Sequence, residues 1–142
     1  RLDIVVASIH SGFQQSREKI TGRMLSAIEN PNVDIIGHPT GRLLGTRPPY
    51  DVDIDAVIAA AAETGTALEI NSHYERLDLN DVHCRRAAEM GVRVAISTDS
   101  HHVDQLWMME LGVRTARRGW LKRENVLNTL TTKALMKAVE NG

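Results

Sequence analysis

The stretch VAISTDSHH, Val94 to His102, decides how the rest of the chain is read. An apolar, β-branched run stops abruptly in an aspartate, a serine and two histidines. A short run of that kind, bounded by polar residues, reads as a buried strand. Three further runs share the form: IVVASI over 4–9, VDIIG over 33–37 and TALEI over 66–70. Longer segments of helical character separate them. Ile20, Met24, Leu25 and Ile28 recur at spacings of three and four, which predicts an amphipathic helix over about 16–28. DVDIDAVIAAAAETG opens with Asp51 as the expected N-cap and closes at Gly65, and LNDVHCRRAAEMG repeats the formula with Gly91 as its stop. Two more helical stretches are expected at about 103–109 and 123–141, the second broken near Thr131 and Thr132. Strands alternating with helices predict an α/β fold with a parallel sheet, right-handed crossovers and an open or barrel-like closure.

The bounds are those of one ordinary domain. The 142 residues are 42% hydrophobic with a formal net charge of -1. That balance gives no global signature for nucleic acid or membrane. The single cysteine, Cys84, has no intramolecular partner, so a reducing cytoplasm is the expected location. No apolar run approaches the roughly 18 residues of a membrane helix, and no membrane partner is expected. The chain opens within an apolar run, which reads as part of something longer.

In α/β folds the site lies beyond the carboxyl ends of the strands. The residues there are His10, His38, Asn71 followed by His73, and Asp99 with His101. Asp99 and His101 are two apart, so extended backbone would send both side chains to one face and His102 to the other. Counting back in twos gives Ser8 and Ser97, small residues suited to a crowded sheet interior. Neutral imidazole with carboxylate suits zinc, manganese or iron. Glu69 shares its face with Ala67 and Asn71, and reads as an inward acid, a support for a ligand, or half of a buried ion pair, with a structural role favoured. His73 reads as a loop residue at the mouth. His83 and Cys84 fall in a helix, where Cys84 is expected to pack as a small hydrophobe.

Two segments carry arginine. PTGRLLGTRPPYD follows His38 directly and places Arg42 and Arg47 on a loop, where a guanidinium can hold a phosphate by paired hydrogen bonds. RTARRGWLKR gathers Arg114, Arg117, Arg118, Lys122 and Arg123 around Trp120; a solvated face is the simpler reading, and a nucleic-acid track the sharper one.

SIHSG, GHPTGRLLGTRPPYD, ALEINS with RLDL following, and ISTDSHH, in this order, resemble the later part of the PHP (polymerase and histidinol phosphatase) domain. The arginine and proline loop with ARRGW is similar to the PHP domain of bacterial and archaeal family X DNA polymerases. The resemblance implies a distorted seven-stranded (β/α) barrel, with residues 1–142 forming one partial PHP domain, about its second half. The N-terminal strands, with their histidine-x-histidine motif, and the polymerase domain are then absent. The length agrees, being well short of the ~250 residues of a complete eight-stranded barrel. His10, His38, Asp99 and His101 fall on family metal-ligand positions; the reading of the residues adds Glu69 and Asn71 as supports behind them and Arg42 as the candidate catalytic arginine. The implied activity is a manganese- or zinc-dependent phosphoesterase, with iron a further choice, acting as a 3′-to-5′ exonuclease on DNA in repair. Two alternatives stay open: a small-molecule phosphatase of the histidinol phosphatase type, and a non-catalytic fragment that self-associates through the exposed edge strand IVVASI.

Overall fold

The four apolar runs pair in parallel, in the order β1-β2-β3-β4, in a computed structural model that describes residues 2–140. The strands are β1 (Val6–Ala7), β2 (Ile35–Ile36), β3 (Ala67–Asn71) and β4 (Val94–Ser97). Five α-helices accompany them: α1 (Arg17–Ile28), α2 (Ile54–Thr64), α3 (Asp81–Glu89), α4 (Met109–Arg118) and α5 (Thr132–Glu140). The result is the expected α/β architecture with a four-stranded parallel sheet, and a partial barrel is consistent with it.

Register separates the two faces. Ile36 pairs with Leu68 and Ile70 with Ile96, and these side chains enter the main core with Ile20, Met24 and Ile28 of α1 and Val57, Ile58 and Ala61 of α2. The alternate residues, Ile35, Ala67 and Ala95, pack with Leu127 and Leu135 in a smaller cluster. Further along that second face come Glu69, Asn71 and Ser97, so a polar set begins where the apolar set ends.

Helix ends follow local chemistry, with one shift from expectation. The N-cap of α2 is Asp53, whose carboxylate accepts the Ala56 N–H at 3.1 Å. Asp51 instead joins Asp53 in holding Arg17, at 3.3 and 3.2 Å. Gly65 ends α2 at φ 81°. Asn80 caps α3 by accepting from His83 N–H at 2.8 Å. The stretch expected to be helical at 103–109 is a 3-10 turn (Val103–Met108) that leads directly into α4, a helix outside the expected stretches. Small residues bury its inner face: a Cβ added at Gly112 would stand 2.0 Å from Ser72 Oγ and 2.6 Å from Ile96 Cγ2.

The two sheet edges differ. Beside β4 the Asn128 amide stands in for a strand, accepting from Ile96 N–H at 2.8 Å and donating to Ile96 C=O at 2.9 Å. At the other edge β1 pairs only with β2, and Val6 is 53% exposed. Among the described residues no helix is long and apolar enough to cross a membrane.

Candidate functional site

Glu69 organises the strand ends. Only 7% exposed, it accepts the His38 N–H at 2.6 Å and the Asn71 amide at 3.3 Å through Oε2. Its Oε1 accepts the Ser97 hydroxyl. One carboxylate thereby ties the ends of β2, β3 and β4 together. Burial pushes its pKa up, against the pull of those three donors.

His38 sits beside it, buried and at φ 30°. Burial, with the Arg76 and His10 charges adding to it, pushes its pKa down to about 4, so the ring is neutral at pH 7. Its Nδ1 is buried without a hydrogen-bond partner. The His10 ring lies 5.1 Å away, nearly perpendicular, and His10 Nε2 shares a 2.7 Å hydrogen bond with Ser8 Oγ.

Asp99 closes the other side. The extended geometry expected over 99–101 is not adopted: β4 ends at Ser97 and Asp99 turns to φ 52°. Asp99 Oδ2 accepts from the Asn71 amide at 3.1 Å and pairs with Arg76 Nε at 3.4 Å. His101 is exposed, with Nδ1 2.8 Å from the Asp99 carbonyl oxygen, which leaves Nε2 outward. His102 caps the 3-10 turn, accepting from Asp104 N–H at 3.4 Å. His38 and Asp99 thus both hold left-handed backbone, where a residue with a β-carbon is strained by about 1–3 kcal/mol.

The arginines divide the work differently from the sequence reading. Arg42 Nε donates to Arg76 C=O at 2.7 Å and its Nη2 to Leu77 C=O, so its fork clamps the loop after β3. Arg76 is the guanidinium turned to Asp99, and its buried Nη1 has no partner. Arg47 Nη2 donates to Gly41 C=O at 2.7 Å. In the basic segment Arg114 pairs with Glu110 at 2.5 Å, Arg118 with Asp81 at 3.1 Å, and Arg85 lies 4.2 Å over the Trp120 ring. Internal partners therefore engage much of that segment.

No protein-family model matches the chain. It is 48% identical, over 93% of its length, to the DNA polymerase/3'-5' exonuclease PolX of Bacillus subtilis, of which it covers 23%. The chain matches the C-terminal part of a PHP domain of the family X polymerase kind. A probable phosphatase of Thermoanaerobacter sp. is 36% identical over 91% of the PHP segment, and one of Caldanaerobacter subterraneus is 37% identical over 94%. The segment spans 54% of each of those phosphatases, so about half of their length.

The donors of this PHP segment suit a divalent ion in kind. His38 offers a neutral imidazole with an orphaned nitrogen, His10 faces it, and the His101 ring nitrogen on the Asp99 carbonyl is the outer hydrogen bond that commonly orients a ligating histidine. Among the described residues, however, no three His, Cys, Asp or Glu side chains are placed to hold one ion between them. Arg76 and Asn71 hold Asp99, and His101 lies on an exposed turn.

Two residues escaped the sequence reading. Arg76 was passed over within NSHYERLD, although its place five residues past the end of β3 was the available signal. Asp78 is fully buried, accepts Thr40 and Gly41 N–H at 3.0 and 2.9 Å, and fixes the loop after His38. Burial raises its pKa to about 6. Asp78 stands within RLDL, a stretch that carries part of the resemblance, but nothing there marks the aspartate as buried.

Proposed function

We propose that this PHP segment contributes the C-terminal half of a divalent-metal phosphoesterase centre, and that the intact protein acts as a 3′-to-5′ exonuclease on DNA, serving repair in the cytoplasm beside a polymerase domain. The observation that carries the reading is His38: a buried, neutral imidazole with an unpartnered nitrogen, facing His10 at the strand ends. His10, His38, Asp99 and His101 are the residues that would hold manganese or zinc. Such an ion, when bound, supplies Lewis acidity at the phosphoryl oxygens and activates water for attack on phosphorus. The chain's own residues set the stage for it. Glu69 fixes the His38 backbone and the Ser97 hydroxyl, Asn71 holds Asp99, and Arg76 Nη1 is free to neutralise charge on a phosphate oxygen. Arg42, expected as the phosphate-holding arginine, supports that position through the Arg76 and Leu77 carbonyls.

The test is metal content of the purified chain by mass spectrometry, paired with turnover of a single-stranded oligonucleotide and of p-nitrophenyl phosphate. Bound metal that is lost in His38→Ala supports the site, and faster release from the oligonucleotide's 3′ end supports the exonuclease. Metal content indifferent to His38→Ala sinks the assignment. The relatives named probable phosphatases favour a second reading, hydrolysis of a small phosphomonoester, and preference for the small ester would decide for it.

A further inference from the structure

Beside the strand ends lies a recess that the phosphoester chemistry does not use. It has a volume of about 530 Å3 and is lined by Phe13, Gln14, Arg47, Pro48, Pro49 and Tyr50. That size falls within the roughly 300–1,000 Å3 of small-molecule sites. Phe13 follows His10 by three residues, and Tyr50 OH donates to the His38 carbonyl at 3.4 Å, so the recess opens next to both histidines.

Its walls are flat and fixed. The Arg47 guanidinium lies 4.1 Å from the Phe13 ring centroid, and the Phe13 and Tyr50 rings are parallel within 8°, with centroids 6.1 Å apart. Arg47 is pinned by its hydrogen bond to Gly41 C=O. Tyr50 is pinned against Gly41, where an added Cβ would stand 2.0 Å from the ring, and Gly41 itself has φ 61°. Pro48 and Pro49 are exposed, so two rigid rings extend the wall into solvent. Tyr50 is buried and backs the wall, so the open surface is the stacked Arg47 and Phe13 pair edged by the exposed prolines, which takes a planar, electron-rich ring with little loss of side-chain entropy. A phosphate alone has no use for such a surface.

We propose that the recess bounded by Phe13, Arg47, Pro48, Pro49 and Tyr50 is a nucleobase subsite, placing the terminal nucleotide so that its phosphoester reaches the His10 and His38 strand ends. The inference rests on the phosphoesterase reading and adds where that substrate's base is held: in this recess, by stacking, and hence with little sequence preference.

The probe is 2-aminopurine deoxyribonucleoside 5′-monophosphate, whose base fluorescence is quenched on stacking, with deoxyribose 5-phosphate as base-free competitor. The chain is expected to quench the probe and to bind it about tenfold more tightly than the competitor. Phe13→Leu, which keeps apolar packing, and Arg47→Met, which keeps the stem, are each expected to weaken the probe about fivefold or more and to leave the sugar phosphate unchanged. Equal affinity for probe and sugar phosphate overturns the subsite while leaving the phosphoesterase reading intact. Binding of the free nucleoside as tightly as the nucleotide overturns the phosphoesterase reading while leaving a base site. Parallel loss of both ligands in the variants overturns the subsite by revealing general damage. Displacement of the probe by N-acetyltryptophanamide at equal concentration overturns it in favour of an aromatic peptide side chain.

Discussion

Glu69→Leu should separate a buried acid that holds the site together from one that merely occupies it. Leucine fills similar space but leaves the His38 N–H and the Ser97 hydroxyl without their acceptor, whereas the Asn71 amide keeps Asp99. Each orphaned buried group costs about 1–3 kcal/mol, so the expected loss is roughly 3–4 kcal/mol. Glu69→Gln is the informative control. Its carbonyl oxygen can take the Oε2 place and accept from His38 and Asn71, while its amide donates to a Ser97 hydroxyl that rotates to accept. Glutamine also removes the cost of ionising a buried carboxyl, whose pKa burial has raised. Its stability at pH 7 should therefore lie within about 1 kcal/mol of the parent. Urea denaturation followed by circular dichroism, with equal slopes confirming comparable unfolding, measures both variants. Leucine and glutamine variants of equal stability would show that Glu69 is not the tie between the strand ends, and the site's geometry would need another cause.

Asp78 makes stability depend on pH. Its folded pKa of about 6 lies above its ordinary value, so the folded state binds the extra proton. Its contribution to stability should be fully present below about pH 4, fall by on the order of 3 kcal/mol as pH rises to about 6, and level off above, while His38, whose folded pKa is lowered to about 4, acts in the opposite direction over the same range. The difference in stability between the parent and Asp78→Asn, taken from urea denaturation at each pH, isolates the Asp78 contribution and should shift by that amount in the parent's disfavour between about pH 4 and 6; a difference independent of pH would contradict the burial argument. Asn128→Ala should cost about 1–2 kcal/mol by unpairing Ile96 N–H and C=O, with faster hydrogen exchange at the Ile96 amide as its local signature. Unchanged exchange there would mean that the side chain does not close the β4 edge.

The parallel sheet was legible because buried strands leave short apolar runs whose period is unmistakable, and Ile70, Ile96 and Leu68 fall where those runs put them. Strand length was not: β1 and β2 keep two ladder residues each, since pairing depends on neighbours the local sequence does not describe. The helix α4 was missed because its buried residues, Gly112, Thr115 and Ala116, are small and weakly apolar, while the larger Met109 and Val113 are exposed. At the site, alternation put Glu69, Asn71 and Ser97 on one face, as found. Alternation failed at Asp99 and His101, where the backbone leaves the strand before the side chains are reached. Arg42 and Arg76 show the limit most sharply. Both sit in loops, and only three-dimensional packing decides which guanidinium clamps carbonyls and which faces the carboxylate.

The left-handed backbone at His38 and Asp99 bears on how this molecule would respond to being improved. Glycine would adopt both conformations without strain, yet at His38 it would empty a buried side-chain site and at Asp99 it would release the Asn71 amide and Arg76. Glycine at either position would also widen the freedom of the unfolded chain, so relief of local strain brings no rigidity. The strained backbone is held in place by the contacts of the side chains that carry it, so relaxing the backbone and keeping those contacts are alternatives at the same two residues.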